Sequence, residues 1–262
     1  MRKKLTLYFI VMTFLLSIVA LAGCGQQKQA APANSGKKIV KIGSETTFPP
    51  FEFQDEKTQE YVGFDIDLAK AVFTKAGYEP QIVSTQFDGL IPAVDGGTID
   101  AIVSGMQITE ERSKKVLFSN PYYESGQNIL VRADNSTIQN WNDLEGKKIG
   151  VQIGTTGAAE AKKVLNASVR EFNNTSEANL ELKAGGVDAV VNSVPVNAYY
   201  LKNGGGSKDA KMVGDIHKAL YCGIAVKKGN TEMIEKVNKA LDEIKQNGEY
   251  DKIYETWFGK KP

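Results

Sequence analysis

From residue 39 onward, short β-branched apolar runs alternate with stretches whose apolar residues recur at helical spacing. Runs at 39–43, 82–85, 101–104, 127–132, 148–153, 169–172, 189–191 and 223–227 read as strands. Their near-continuous apolarity marks strands covered on both faces of a sheet. Helices are expected between them. The first starts at Asp65 as its cap, turns Ile66, Ala69, Val72 and Phe73 inward, and ends at Gly77. Others span 89–94, 158–165, 176–184 and 196–202, and one starts at Thr109 with Glu110 and Glu111 where the helix dipole favours them. Segments 51–53 and 61–63 flank a polar stretch and predict a hairpin. Met233, Ile234, Val237, Leu241 and Ile244 form the inner face of a long amphipathic helix. Tyr250, Ile253, Tyr254, Trp257 and Phe258 predict a last, aromatic one. Strand–helix alternation of this kind gives an α/β fold.

Two stretches repeat each other in order. Gly36-Lys37-Lys38-Ile39-Val40-Lys41-Ile42-Gly43 is echoed by Gly146-Lys147-Lys148-Ile149-Gly150-Val151-Gln152-Ile153-Gly154. Gly97-Thr98-Ile99-Asp100-Ala101-Ile102-Val103-Ser104 is echoed by Gly186-Val187-Asp188-Ala189-Val190-Val191-Asn192-Ser193, one residue shorter before its Asp-Ala. Singly, such fragments are common in α/β chains. In order, they predict two α/β lobes whose strand ends face each other across a cleft, where open parallel sheets bind ligands. Strands 127–132 and 222–227 are expected to cross between the lobes as a two-stranded hinge. The first lobe then comprises 39–126 with 222–262, and the second 127–221.

Composition is that of a globular chain, 42% hydrophobic and 24% charged over 262 residues. The basic residues Arg2, Lys3 and Lys4 precede an apolar run at 5–20 and then Leu21-Ala22-Gly23-Cys24, the layout of an export signal. A membrane-spanning anchor is the competing reading of so long a run. Against it stands one of only two cysteines, placed at the cleavage point. Without the three leader cations the formal charge falls from +1 to −2, and no basic stripe with interleaved aromatics occurs, so a nucleic-acid partner is not expected. The Gln-, Lys-, Ala- and Ser-rich stretch 25–38 cannot bury a core. As a flexible tether its 14 residues reach roughly 20 Å.

Leu21-Ala22-Gly23-Cys24 resembles the bacterial lipobox, which implies cleavage of 1–23 and lipid on Cys24, with 24–38 as a lipidated tether. Several acyl chains hold a protein to a membrane where one does not. Cys222 then has no intrachain partner. The motifs Phe48-Pro49-Pro50-Phe51-Glu52-Phe53, Tyr61-Val62-Gly63-Phe64-Asp65-Ile66-Asp67-Leu68, Phe87-Asp88-Gly89-Leu90-Ile91-Pro92-Ala93, Ile108-Thr109-Glu110-Glu111-Arg112, Phe118-Ser119-Asn120-Pro121-Tyr122-Tyr123 and Tyr254-Glu255-Thr256-Trp257-Phe258-Gly259 carry a second likeness. They closely resemble the bacterial extracellular solute-binding proteins of polar amino-acid transporters, in order and over the chain after the tether. The resemblance implies the two-lobed periplasmic-binding fold (type II), a hinged trap for a small molecule, and delivery to the permease of an ABC importer. It also implies a monomer outside the cell membrane, with no cofactor and no metal.

The same resemblance implies the ligand set. Arg112, early in a helix, suits a bidentate carboxylate clamp, against the alternative of a surface arginine paired with Glu110 or Glu111. Phe48 and Phe87 are loop aromatics that sandwich a ligand or else staple the core. Gln152, Thr155, Thr156 and Gly157 follow a strand and open a helix, a setting that suits an anion and also serves as a cap. Ser104, Gly105, Asn192 and Ser193 stand at strand ends. Four positions depart from the family pattern: Glu45 replaces an aspartate, Gln107 a Thr or Ser, Ser193 the aspartate that faces an α-ammonium, and Cys222 an aromatic. Either Glu45 supplies the missing charge or the ligand is not an ordinary α-amino acid. A dehydratase-like enzyme on this fold would use Glu45 as an acid/base group, but Ser193 stands where its second-lobe carboxylate belongs. His217 reads as a surface or hinge residue, and no nucleophile elbow, phosphate loop or metal-ligand spacing occurs. A sensory lipoprotein that signals through a receptor is the third reading.

Overall fold

The computed structural model describes residues 36–260; the leader, Cys24 and most of the tether lie outside them. Two five-stranded sheets carry the fold. In the first, β5 (Glu79–Ser84), β1 (Ile39–Ser44), β6 (Ala101–Ile102), β13 (Ala225–Lys227) and β7 (Val116–Phe118) lie in that order. In the second the order is β10 (Ser168–Phe172), β9 (Lys148–Gln152), β11 (Ala189–Ser193), β8 (Tyr123–Arg132) and β12 (Ala210–Cys222). Each sheet runs three strands parallel, reverses the fourth and restores the fifth. A small sheet of β2 (Thr47–Phe48), β3 (Glu52–Gln54) and β4 (Tyr61–Val62) realises the expected hairpin excursion.

Burial on both faces explains the apolar runs. Along β8, Ile129 and Val131 join Leu144, Ile149, Val151 and Ala158 on one face, whereas Leu130 meets Ala178, Leu182, Val187 and Val190 on the other. Helices α4 (Thr156–Ala161) and α5 (Thr175–Ala184) supply the covering residues. In the first lobe α1 (Phe64–Lys75), α7 (Thr231–Gln246) and α8 (Glu249–Phe258) pack with Val40 and Ile42. On the opposite face Leu90 and Val94 of α2 (Leu90–Gly96) meet Ile99, Ile102 and Val116. The short α3 (Glu110–Ser113) follows, capped by Thr109, whose side chain accepts from Arg112 N. Helix α6 (Val194–Lys202) leaves the second sheet and sends Val196 into the first lobe's core. The inner face foreseen for 233–244 is buried throughout, and the Phe258 ring packs 5.0 Å from Phe64 and 4.9 Å from Tyr123.

The internal repeat has an atomic basis in a shifted register. Ile42 and Ile149 stand opposite Ala101 and Ala189, so Lys41-Ile42-Gly43 matches Lys148-Ile149-Gly150. This match lies three residues away from the expected pairing of Gly36 with Gly146. Asp100 accepts from Lys41 N at 2.8 Å and returns its own N–H to Lys41 O. Asp188 does the same with Lys148, also at 2.8 Å. The copies are also equal in length: α2 is capped by left-handed Gly97 and α5 by left-handed Gly185, so the cap-to-aspartate interval matches. The sequence alignment on Gly186 was one residue late.

Several expectations are corrected. The second crossing strand is β12, which pairs with β8 from Ala210↔Arg132 to Cys222↔Tyr123. Residues 225–227 instead lie inside the first sheet, between β6 and β7. β12 is an edge strand, largely exposed and broken by two register shifts around His217, so it lacks the apolar signature. Asp65 is not the cap of α1; Gly63 is, at φ 131°, where a β-carbon would strike the Phe51 carbonyl. The helix expected at 158–165 begins at Thr156 and ends at Ala161.

The irregular part of β12 is tied to α4 through Glu160, which accepts from Lys163 at 2.9 Å, from Lys218, and from His217 at 3.5 Å. His217 itself lies against Trp141, ring centroids 4.1 Å apart. Burial alone would raise the Glu160 carboxyl, yet the hydrogen bonds from Lys218, Lys163 and His217 hold it down at about 2. A depressed folded-state carboxyl contributes stability above its ordinary value of 4.5 and loses it as pH falls toward 2. Urea unfolding across that interval should therefore show a steeper loss for the wild type than for Glu160→Gln; superimposable acid profiles would remove Glu160 from this role.

Candidate functional site

The strand ends of both sheets meet at one cleft. Its lining combines Phe48, Phe51, Phe87, Gly105, Gln107 and Arg112 from the first lobe with Gln152, Thr155, Thr156, Asn192 and Ser193 from the second. Ser125 and Gln127 of β8 and Cys222 of β12 complete it. The enclosed space is about 30 Å³, room for little more than water. A groove of about 950 Å³ continues outward past Phe87, Arg112, Thr155 and Thr156. A ligand of amino-acid size therefore reaches the inner cavity only when contacts across the cleft part.

Around the cavity those contacts are polar, whereas beside it Val196 and the Phe53–Tyr199 ring pair, 5.8 Å apart, join the lobes through apolar surface. Arg112 donates through Nη1 to Gln107 O at 2.7 Å and through Nη2 to Gly154 O at 3.0 Å, one bond in each lobe. Its guanidinium lies 5.3 Å from the centre of the Phe87 ring. Among the described residues no carboxylate forms a salt bridge with it. Burial draws the guanidinium down to about 10, against smaller opposing effects of Cys222 and Glu111. Thr156 donates its hydroxyl to Gln107 Oε1, and Gln127 Nε2 reaches Thr156 Oγ1 at 3.0 Å and Gln107 Oε1 at 3.3 Å. Gln107 Nε2 is spent on Ser125 O at 2.8 Å.

A second chain of uncharged groups runs along the other wall. Ser125 and Ser193 share a hydrogen bond at 2.6 Å, and Ser193 N donates to Asn192 Oδ1 at 2.8 Å. Asn192 Nδ2 reaches Thr175 Oγ1 at 3.3 Å, and that hydroxyl donates to Gln152 Oε1 at 3.4 Å. Thr155 caps α4, accepting from Ala158 N at 3.1 Å. Cys222 is buried, as the free thiol among the described residues, and its Sγ donates to Gly105 O at 3.4 Å. Burial raises that thiol well above its usual value.

Three residues expected in the ligand set do not line the cavity. Glu45 is 6% exposed and accepts from the Thr47 hydroxyl, while its N–H donates to Ser104 Oγ at 2.9 Å. Burial raises its carboxyl, opposed by hydrogen bonds from Thr47 and from Gln152 of the other lobe. Ser104 turns away and donates to Glu52 Oε1 at 2.8 Å. Gly157 is a spacer: a β-carbon there would lie 3.1 Å from Gln127 Oε1 and 3.3 Å from Val191 O.

The sequence reading overlooked Phe51, Ser125 and Gln127. Ser125 and Gln127 sit two apart on β8, where register pairs Gln127 with Ser193. Polar residues alternating into an otherwise buried strand need buried partners, and that alternation was the available signal.

Residues 40–260 match the family model of bacterial extracellular solute-binding proteins, family 3. A probable histidine-binding protein of Neisseria gonorrhoeae is 35% identical over 94% of this chain and 93% of its own. An L-arginine-binding protein of Pseudomonas aeruginosa is 37% identical over 87% and 90%, respectively. Among solved structures, an ancestral arginine-binding protein bound to arginine is 49% identical, covers 85% of this chain and 99% of its own, and superposes with a TM-score of 0.81. The match along the sequence and the shared two-lobed architecture place this chain in family 3 of the bacterial extracellular solute-binding proteins.

Proposed function

We propose that this protein captures an amino acid or related small carboxylate in the cleft, closes its lobes over it, and delivers it to an ABC importer. The observation that carries this reading is Arg112: a half-buried cation bonded to both lobes and lacking a carboxylate of its own. A ligand carboxylate supplies the missing counter-charge, and the planar guanidinium fits it bidentately. Phe87 braces the guanidinium, and Thr155, Thr156 and the start of α4 offer hydroxyl and N–H donors to the same anion. The lobes, 39–126 with 222–262 and 127–221, move about β8 and β12, opening the Arg112–Gly154 and Thr156–Gln107 contacts. The relatives named above are binding proteins, which supports transport over catalysis. One solved neighbour, however, 43% identical, is an ancestral amino acid-binding protein described as a precursor of cyclohexadienyl dehydratase. A dehydratase would want a carboxylate where this cavity has Ser193. The Leu-Ala-Gly-Cys leader supports a lipid anchor on Cys24 at the outer face of the cell membrane, with the domain acting as a monomer.

The cavity also suggests what is bound. Its one charged lining residue is Arg112, and the remaining polar lining consists of amides, hydroxyls, a thiol and backbone. An α-ammonium in the closed cleft would sit beside Ser193, Asn192 and Gln107 without a counter-ion, which is costly for a buried charge. The reading therefore favours a small carboxylate whose cationic or amide end lies toward Gln152 and Glu45.

Three outcomes follow. Removing one partner of a buried charge pair costs roughly 2–5 kcal/mol. For the ligand picked out by a thermal-shift screen of amino acids, derivatives and small carboxylates, Arg112→Ala should weaken calorimetric affinity more than about tenfold; unaltered affinity would take Arg112 out of the site. Standard L-amino acids should bind weakly to the wild type and more tightly to Ser193→Asp. Sub-micromolar binding of any of them by the unaltered protein would sink the charge argument. Mass spectrometry of the membrane fraction should find acyl groups on Cys24 and no residues before it; an unmodified chain retaining 1–23 would favour the spanning anchor instead.

A further inference from the structure

Behind Gly105, on the core side of the ligand cleft, two carboxyl groups meet inside the first lobe. Glu52 on β3 and Asp65 on α1 are both fully buried. Asp65 Oδ2 accepts from Gly105 N and, at 2.7 Å, from the Tyr122 hydroxyl. Glu52 Oε1 accepts from Ser104 Oγ at 2.8 Å. The other oxygen of each, Glu52 Oε2 and Asp65 Oδ1, is buried with no protein donor. The two side chains nonetheless lie within hydrogen-bonding reach of one another. Among the described residues no lysine, arginine or histidine forms an ion pair with either.

Two ionised carboxylates cannot share such a place without a cation, because each charge is desolvated and each leftover oxygen repels the other. One proton removes both faults: it deletes a charge and turns the two unpartnered acceptors into a donor and an acceptor. We propose that Glu52 and Asp65 share a single proton, held on Glu52 and donated to Asp65, and that this carboxylic acid–carboxylate pair positions Gly105 in the ligand cleft.

The surrounding donors set the direction. Asp65 already accepts from an N–H and a phenol, which favour its charged form, whereas Glu52 has one hydroxyl donor. Burial raises both groups. The ionised Asp65 in turn fixes Gly105, a residue at φ 51° whose carbonyl accepts from Cys222 Sγ. Glu52 and Asp65 are thus positioning residues: they touch the cleft through Gly105 and do not line it. The groups facing them are Glu45 and Ser104 beside Glu52, and Tyr122, Tyr123, Tyr250 and Cys222 around Asp65, with Arg112 beyond Cys222. Burial pushes Tyr122 and Cys222 well above their ordinary values, while Arg112 titrates at about 10. Loss of the shared proton lies on the alkaline side of its two carboxyls' ordinary range, and it sets a second charge beside the carboxylate that holds Gly105.

The proposal is independent of the ligand, so its test is made on the ligand-free protein. Infrared spectroscopy at pH 7 should show the carbonyl band of a protonated carboxylic acid, sensitive to deuterium exchange, and Glu52→Gln should abolish it. In Glu52→Gln the amide still donates to Asp65 but has no proton to lose. The Gly105 amide resonance should therefore show a titration step above the ordinary carboxylate range in the wild type, and that step should be lost in the variant. Absence of the acid band from the wild type overturns the proposal even if the variant fails to fold. So does a Gly105 titration that persists unchanged in Glu52→Gln.

Discussion

Arg112 is the charge around which the cleft is organised, since its two hydrogen bonds are made to backbone carbonyls on opposite lobes. A carbonyl dipole satisfies a guanidinium N–H but leaves its charge uncompensated, and burial exacts the cost. The arrangement therefore holds the lobes together weakly and reserves its electrostatic gain for an anion. A carboxylate in the same place at all times would bring the cation to neutrality and forfeit that gain. Neutral Gln107, Gln127, Thr156 and the Ser125–Ser193 pair do the remaining work of closing the wall, each hydrogen bond being replaceable by one to a ligand.

Much of this was legible along the chain because its physical cause is local. Strands covered on both faces must be apolar throughout, so β1, β9 and β11 announced themselves. The repeated Asp100 and Asp188 were visible because each clamps the backbone of the lobe's first strand, a role that only a side chain of that length and charge performs at that spot. The cleft residues after β6, β9 and β11 followed from the rule that open sheets bind at their strand ends. Family likeness supplied much of the rest of the cavity lining, including Arg112.

What stayed hidden depends on partners far away in sequence. β12 is exposed and irregular, and only its pairing with β8 makes it a strand. Ser125 and Gln127 look like loop polarity until register sets Gln127 opposite Ser193. Glu45 was expected to face the ligand because of where it stands after β1. Instead Thr47 and Gln152 hydrogen-bond its carboxyl, and the residue is left out of the cavity lining. Asp65 had the composition of a helix cap, but Gly63 already ends the turn, which frees the carboxylate to reach Gly105 and Tyr122.

These last two corrections have a common consequence. The first lobe carries three buried carboxyl groups, Glu45, Glu52 and Asp65, set one layer behind the cavity, while the cavity itself is lined by a cation and neutral groups. Placed in the lining, those acids would compete with an anionic ligand for Arg112. Placed outside the lining, they hydrogen-bond Gly105 and Gln152, which touch the space, and Ser104 beside them. Negative charge is thereby kept close enough to orient N–H donors and hydroxyls, yet screened from the guanidinium by one layer of polar atoms. Selectivity in such a site is set less by the residues a ligand meets than by which of them the second layer leaves free to turn toward it.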